Sequence, residues 1–215
     1  ESGDNALFLG AFFVELVLGT RNSGKISELK ELCRPLGIQV CSLEHLSKAI
    51  HVEEIGVSFL ENATLKAVLQ AKALGRFVLA EDSGLVVDSL NGEPGIYSAR
   101  WSGEHASESE NNRTLLSRMK EFPHERCAHY ECHAVLSDPS GNVVAHSSGS
   151  CHGDIATSLR GIAGFGYDPL FIIREYHSTF GELSDMVKSV ISHRARAMRA
   201  LLPVLENLNH VSFKQ

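Results

Sequence analysis

Val14–Leu18 is a short apolar run with two valines, closed by Gly19. The polar stretch Thr20-Arg21-Asn22-Ser23-Gly24-Lys25 follows. Ile26, Leu29, Leu32 and Cys33 then recur at helical spacing, until Pro35 and Gly37. A buried strand, a glycine-containing loop and an amphipathic helix in that order constrain this chain more than any other feature. Such a unit leaves apolar surface on both its strand and its helix, which a layered α/β arrangement covers.

The alternation continues. Ile38–Cys41 reads as a second strand. Ser58 and Glu61 have capping-box spacing and open a helix through Ala63, Ala67, Ala71 and Leu74, stopped by Gly75. Phe77–Ala80 reads as a strand that runs into Glu81-Asp82-Ser83-Gly84, with Leu85–Val87 as a further short strand. Ser107 and Glu110 open a helix to about Phe122. Tyr130, Cys132, Ala134 and Leu136 alternate with Glu131 and His133, and Asp138-Pro139-Ser140-Gly141 turns that strand back into Val143–Cys151. Gly161–Asp168 is a glycine-rich loop and Leu170–Ile173 a strand; Glu182–Lys188 reads as a short helix and Ala195–Leu208 as an amphipathic one. The predicted fold class is α/β, a mixed β-sheet flanked by helices.

At 215 residues the chain can bury roughly 70 % of its unfolded surface, so its core needs no staples. Residues 13–215 are expected to form a single domain, with 1–12 an N-terminal extension or an expression remnant. Ala6–Gly19 is shorter than the ~20 apolar residues of a membrane helix and is interrupted by Glu15. The start, Glu1-Ser2-Gly3-Asp4, lacks the basic residues of a secretory signal. Five irregularly spaced cysteines fit reduced thiols in a cytoplasmic protein better than a disulfide framework. Twenty basic against 26 acidic residues argue against binding a nucleic-acid polymer through a broad basic field. A small phosphorylated ligand needs only a few local cations and stays compatible.

Gly19–Lys25 nearly fits a P-loop, but Ile26 stands where Ser or Thr would ligate magnesium. The physics survives the failed match: loop amides at a helix N-terminus, with Asn22 and Lys25, suit a triphosphate. An ordinary βα turn with a solvated lysine is the competing account. Glu53-Glu54, Glu61 and Glu81-Asp82 are clustered carboxylates. Asp82 differs from the others because it ends an apolar run, where catalytic groups of α/β folds commonly sit. Carboxylates near a phosphate cradle would hold Mg²⁺, which prefers oxygen ligands. Cys127, His129, Cys132, His133, Cys151 and His152 contain no C-x-x-C pair and make a weak zinc case. In Gly164-Phe165-Gly166-Tyr167-Asp168-Pro169 the rings could stack on a purine while Asp168 reads its edge, or the segment could be a tight turn with packed rings. Ser192-His193-Arg194 opens the last helix, where a cation and helix N–H groups could meet an anionic or carbonyl oxygen.

Thr20–Lys25, Phe59-Leu60-Glu61-Asn62-Ala63 with Lys66-Ala67, Ala80–Leu85, Pro94-Gly95-Ile96-Tyr97-Ser98-Ala99-Arg100, Gly164–Pro169, and Lys188 followed by Ser192-His193-Arg194 occur in one order. Together they resemble the inosine triphosphate pyrophosphatase family, in particular its bacterial branch acting on dITP, ITP and XTP. The resemblance spans about Val14 to Leu208. It implies a homodimer, an elongated mixed sheet with two lobes around a central nucleotide cleft, and Mg²⁺-dependent hydrolysis of a nucleoside triphosphate to monophosphate and pyrophosphate. It assigns Thr20, Arg21, Asn22, Ser23, Gly24 and Lys25 to the phosphates, Glu53 and Asp82 to the metal, and Lys66 to a place near the phosphates. Asp82 is also the implied proton acceptor. Ser83, Phe165, Gly166, Tyr167, Asp168, Lys188, His193 and Arg194 match substrate-contact positions. Two residues depart from the family pattern: Glu81 where Asp is frequent, and Arg21 where Gly is common. A pyrophosphatase of similar fold acting on dTTP or UTP, and a catalytically silent nucleotide sensor, are the alternative readings.

Overall fold

A computed structural model describes residues 15–211. The expected extension at 1–12, and Val14 at the start of the first apolar run, lie outside them. Seven strands form one mixed sheet: β1 (Glu15–Leu18), β2 (Gln39–Ser42), β3 (Val78–Val87), β4 (Cys127–Ser137), β5 (Val143–Ile155), β6 (Phe171–Ile173) and β7 (Ser178–Thr179). Their spatial order is β2-β1-β3-β4-β5-β6-β7. β1 pairs in parallel with β2 and β3, and every later pairing is antiparallel. The parallel part is built by crossovers through α1 (Ser23–Cys33) and α2 (Phe59–Leu74), as the alternation of elements requires. The remaining helices are α3 (Glu108–Arg118), α4 (Asp185–Ile191) and α5 (His193–Val211).

The core has three clusters. On one face of the sheet, Leu16, Leu18, Leu79, Cys132 and Leu136 pack with Ile26 and Leu29 of α1 and Met198, Leu201 and Leu205 of α5. Ala63, Ala67 and Ala71 of α2 pack with Val17, Val78, Ala80 and Val135. The alternation of side chains along each strand sorts these two sets onto opposite faces. The third cluster lies toward the other end of β3 and β4 and joins Leu85, Val87, Leu115, Met119, Tyr130, Phe171 and Phe180.

The mixed sheet with flanking helices matches the expectation, and three boundaries differ for identifiable reasons. Glu81–Gly84 is not a loop between two strands. It is the middle of β3, with Asp82 opposite His133, Ser83 opposite Cys132 and Gly84 opposite Glu131. The buried Glu81 and Asp82 carboxylates find cationic partners, so the backbone has no need to leave the ladder. α4 begins at Asp185 rather than Glu182: Ser184 caps it through Val187 N–H, while Glu182 accepts from Thr179 N–H. α5 begins at His193, two residues ahead of the apolar pattern from Ala195 and where Ser192-His193-Arg194 is expected to open it; the Ser192 hydroxyl accepts from Ala195 N–H at 3.2 Å.

Candidate active site

A cleft of about 480 Å³ takes its walls from the β1–α1 loop, mid-β3, the Pro94–Ala99 segment, the glycine-rich loop before β6, and the start of α5. That volume lies in the range of small-molecule sites. Thr20, Arg21, Asn22 and Lys25 line one side. Asn22 caps α1: its side-chain oxygen accepts from Lys25 N–H at 3.0 Å, and its own N–H donates to Thr20 Oγ1 at 3.2 Å. A helix N-terminus carries unpaired N–H groups and a partial positive charge, so this wall favours an anion. Gly24 sits against the opposite wall, where an added Cβ would lie 2.5 Å from the Phe165 ring.

Mid-β3 supplies the carboxylates. Asp82 is buried; its Oδ1 is 2.8 Å from Lys66 Nζ, and its Oδ2 accepts from Asn62 Nδ2 at 3.4 Å. Lys66 Nζ is also 2.8 Å from Glu54 Oε1. Burial raises the Asp82 carboxyl above the ordinary Asp range, more than Lys66 and Lys25 lower it. Burial opposes the charge of Lys66, but Asp82, Glu54 and Glu81 hold its pKa above the usual lysine value. Glu81 points to the other face, 3.0 Å from Lys25 Nζ and 3.4 Å from Arg194 Nη2. Burial works against its charge too, yet Arg194, Lys25 and Lys66 hold it well below the usual Glu range.

Glu53, the carboxylate assigned to the metal by resemblance, does not face the cleft. Exposure alternates along residues 51–57, so Glu53 turns outward and Glu54 inward. Glu54 lines the cleft and Glu53 does not.

The far side of the cleft is the glycine-rich loop. Asp168 is 2 % exposed; it pairs with Lys188 Nζ and accepts from Phe165 N–H at 2.9 Å. Burial raises its carboxyl and Lys188 lowers it, with a net rise. Lys188 Nζ stands 4.6 Å from the Phe165 ring centre, and the Arg194 guanidinium 5.7 Å. Arg194 donates to Ser83 Oγ at 2.9 Å and pairs with Glu28 on α1. His193 stacks on Tyr130 with ring centres 4.6 Å apart. Burial and the neighbouring Arg194 hold its imidazole well below the usual histidine pKa, so it is neutral. Tyr167 is buried and donates to Ser98 O at 2.9 Å.

Thr20, Arg21, Asn22, Lys25, Lys66, Asp82, Ser83, Phe165, Gly166, Tyr167, Asp168, Lys188, His193 and Arg194 therefore all line one cleft. Ser23 and Gly24 form the first turn of α1 beside it. Sequence reasoning missed Glu28, whose place one turn beyond Lys25 was the available signal. It also missed Tyr130, which reads as a core strand residue. The cysteines are all unpaired. Among the described residues no group of three or more His, Cys, Asp and Glu side chains is placed to hold a metal on its own, and no helix is long and apolar enough to cross a membrane.

The family model described as "Ham1 family" matches residues 16–204. The chain is 51% identical over 195 residues to a dITP/XTP pyrophosphatase of Rhodopirellula baltica, covering 90% of this chain and 94% of that one. To a dITP/XTP pyrophosphatase of Bacillus subtilis it is 42% identical over 193 residues, covering 89% and 97%. Among solved structures it is similar to a HAM1 protein from Coxiella burnetii, with TM-score 0.82, 36% identity, and 91% and 100% of the two chains covered. The Staphylococcus aureus Ham1 protein gives TM-score 0.79 and 39% identity, over 90% and 99%.

Proposed function

The chain belongs to the Ham1 family, and we propose that it hydrolyses the non-standard purine nucleotides dITP, ITP and XTP to the monophosphate and pyrophosphate, cleansing the nucleotide pool. The observation that carries this reading is the Lys66 ammonium, held 2.8 Å from both Glu54 and Asp82 beside an anion-binding helix start.

That arrangement fits a magnesium ion. Two carboxylates from separate parts of the chain already converge on one positive charge, and all the donors are hard oxygens. Mg²⁺ keeps several waters and shares phosphate oxygens, so two protein carboxylates suffice. Glu54 and Asp82 would hold it, and Glu53, which faces away from the cleft, would not. When bound, the ion neutralises phosphate charge and acidifies water.

The rest is done by the chain itself. Thr20–Lys25 bind the phosphates. Water attacks the α-phosphorus, its proton passes to Asp82, and the bond to the β-phosphate oxygen breaks to release pyrophosphate. A carboxyl raised by burial is a better acceptor than an ordinary aspartate. Lys25 and Lys66 offset the charge that builds on the phosphates. Positioning and electrostatics dominate such a reaction. Phe165, Gly166, Tyr167, Asp168, Lys188, His193, Arg194 and Ser83 form the base end. The family resemblance adds a homodimer, and the five free cysteines suit a cytoplasmic setting.

A panel of ITP, XTP, dITP, GTP, ATP and dTTP with Mg²⁺, assayed for pyrophosphate, tests the reading. Turnover of the first three well above the rest is expected. Preference for dTTP, or binding of ITP without turnover, would replace it with one of the alternatives.

A further inference from the structure

Arg100 closes the Pro94–Arg100 stretch and stands outside the residues that line the cleft. It nevertheless reaches Glu54, with Nη1 2.9 Å from Oε2. We propose that Arg100 is a positioning residue: it holds the Glu54 carboxylate in place and so sets the affinity of the site for a divalent cation. This rests on the reaction proposed above.

Glu54 needs such a hold. Its segment belongs to no strand or helix. Gln70 fastens Ile50 on one side, and Asn62 and Glu61 fasten Gly56 and Val57 on the other. Among the described residues no backbone hydrogen bond fixes 51–55. The carboxylate is therefore placed by its two cations, Lys66 on Oε1 and Arg100 on Oε2. Lys66 is shared with Asp82, so a divalent cation competes with it for both carboxylates. Arg100 holds the other oxygen of Glu54 and takes no part in that competition.

Arg100 itself is well fixed. Its N–H donates to Tyr97 O at 2.9 Å, and its guanidinium lies 5.5 Å from the Tyr97 ring centre. Asn111 grips both sides of the segment, donating to Ala99 O at 3.1 Å and accepting from Ser102 N–H at 2.9 Å. Ser98 Oγ accepts from Leu85 N–H at 2.9 Å and donates to Gly95 O at 2.6 Å, which ties the segment to β3 three residues beyond Asp82. Gly84 permits that approach: a Cβ there would stand 2.4 Å from Gly95 O and Ser98 Oγ. One rigid segment thus relates Glu54 to Asp82.

The guanidinium charge also repels a divalent cation. At 23% side-chain exposure it is partly screened by water, whereas the hydrogen bond is not. The two effects have opposite signs, so the direction of the change decides between them.

The experiment uses the whole protein with Arg100→Gln and Arg100→Lys. It reads the Mg²⁺ half-saturation at saturating ITP, the affinity for Mn²⁺ alone by calorimetry, and the melting temperature. Arg100→Gln is expected to weaken Mn²⁺ binding and raise the Mg²⁺ half-saturation about tenfold, as loss of a carboxylate's hydrogen-bond partner commonly does. At saturating Mg²⁺, kcat and the KM for ITP should stay within about threefold, since chemistry and nucleotide contacts are intact. Arg100→Lys keeps the charge but loses the planar fork, so a weakening of about two- to fivefold is expected. It decides the matter alone should Arg100→Gln fail to fold. Unchanged or tighter Mn²⁺ binding in a folded variant would overturn the proposal, and so would a fall in kcat with Mn²⁺ affinity intact. A wild-type protein whose turnover ignores divalent cations would overturn the reaction itself, before any variant is made.

Discussion

Glu28 Oε1 stands 2.6 Å from Lys188 Nζ, and the other oxygen of the same carboxylate is taken by Arg194. This pair belongs to a line of alternating charges running from Lys25 through Glu81, Arg194, Glu28 and Lys188 to Asp168. The line runs from the start of α1 to the glycine-rich loop, and it takes residues from α1, β3, that loop, α4 and α5.

Glu28→Gln should therefore act at the proposed base end, although Glu28 is carried by α1 on the other side of the cleft. Without the carboxylate, Lys188 is left with Asp168 and Arg194 with Glu81, so two buried cations lose the acid they share. Breaking one member of a buried network costs about 3–5 kcal/mol, less here because Glu28 is 22% exposed. A fall of about 5–10 °C in Tm is expected for a chain of this size. The KM for ITP should rise while kcat holds within about threefold. An unchanged Tm and KM would remove Glu28 from the line.

Asp82→Asn should lower kcat by about 10²–10⁴, the range for losing a proton acceptor or metal ligand. The change is isosteric and Lys66 keeps Glu54, so Tm should move little. Steady-state kinetics with ITP and a melting curve check both. Near-native kcat would take Asp82 out of the mechanism.

The layered fold was legible because its signals are local. Gly19, Pro35 and Gly75 punctuate the elements, and the β4 alternation of Tyr130, Cys132 and Ala134 survives intact in the burial pattern of the strand. β3 looks like two strands in the sequence because apolar patterning treats Glu81 and Asp82 as a break. Only the tertiary partners Lys25, Arg194 and Lys66 make two buried acids tolerable in a central strand. The choice between Glu53 and Glu54 was illegible for a related reason. Two adjacent carboxylates on an irregular segment look alike until Lys66 and Arg100 select one of them. Arg100 stood in a stretch recognised from the sequence, but its partner lies 46 residues away.

His193 gives stability a pH dependence of definite sign. Burial, with Arg194 and Lys188 nearby and Glu81 only partly compensating, keeps its folded pKa well below the unfolded value near 6.5. Below that value the unfolded chain binds a proton that the folded chain refuses. Stability is therefore present above about pH 6.5 and lost as pH falls, by up to about 1.4 kcal/mol per unit until the folded pKa is reached. His193→Phe keeps a ring against Tyr130 and leaves no orphaned acceptor, since Nδ1 has no partner now. Tm measured from pH 7 to 5 should fall less steeply in the variant. Parallel curves would mean that His193 is not the group responsible.

Gly24→Ala should separate binding from folding. The methyl group would lie 2.5 Å from Phe165 Cδ1 and 2.7 Å from Cγ, so the ring must move. Alanine is the better helix former by up to about 1 kcal/mol, which offsets part of the clash. Tm should stay within a few degrees while the KM for ITP rises, because the displaced ring is the one under Lys188 and Arg194. A wild-type KM would show that Phe165 has room to yield without disturbing the nucleotide.

Asp168 separates two ways of selecting a base. Hypoxanthine presents a donor at N1 and an acceptor at O6, and adenine the reverse, so a free carboxylate could tell them apart. The Asp168 carboxylate is not free. Oδ2 accepts from Phe165 N–H at 2.9 Å and pairs with Lys188, and Oδ1 receives the Tyr130 hydroxyl at 3.5 Å. The loop is wrapped so closely around it that a Cβ on Gly164, whose φ is +75°, would lie 2.0 Å from Oδ2. Asp168 thus staples the Gly164–Asp168 turn and holds Phe165 in place. In Asp168→Asn the ion pair with Lys188 is lost, and the new amide group can satisfy Phe165 N–H only through its single oxygen. The whole base end loosens, whatever base is offered. The KM should rise about tenfold for ITP and ATP alike, with the ITP-to-ATP ratio of kcat/KM changed less than about threefold. Sites that read a base edge through a buried group lose selectivity by far more when that group is altered. A ratio that collapses tenfold or further would show that Asp168 reads the purine directly.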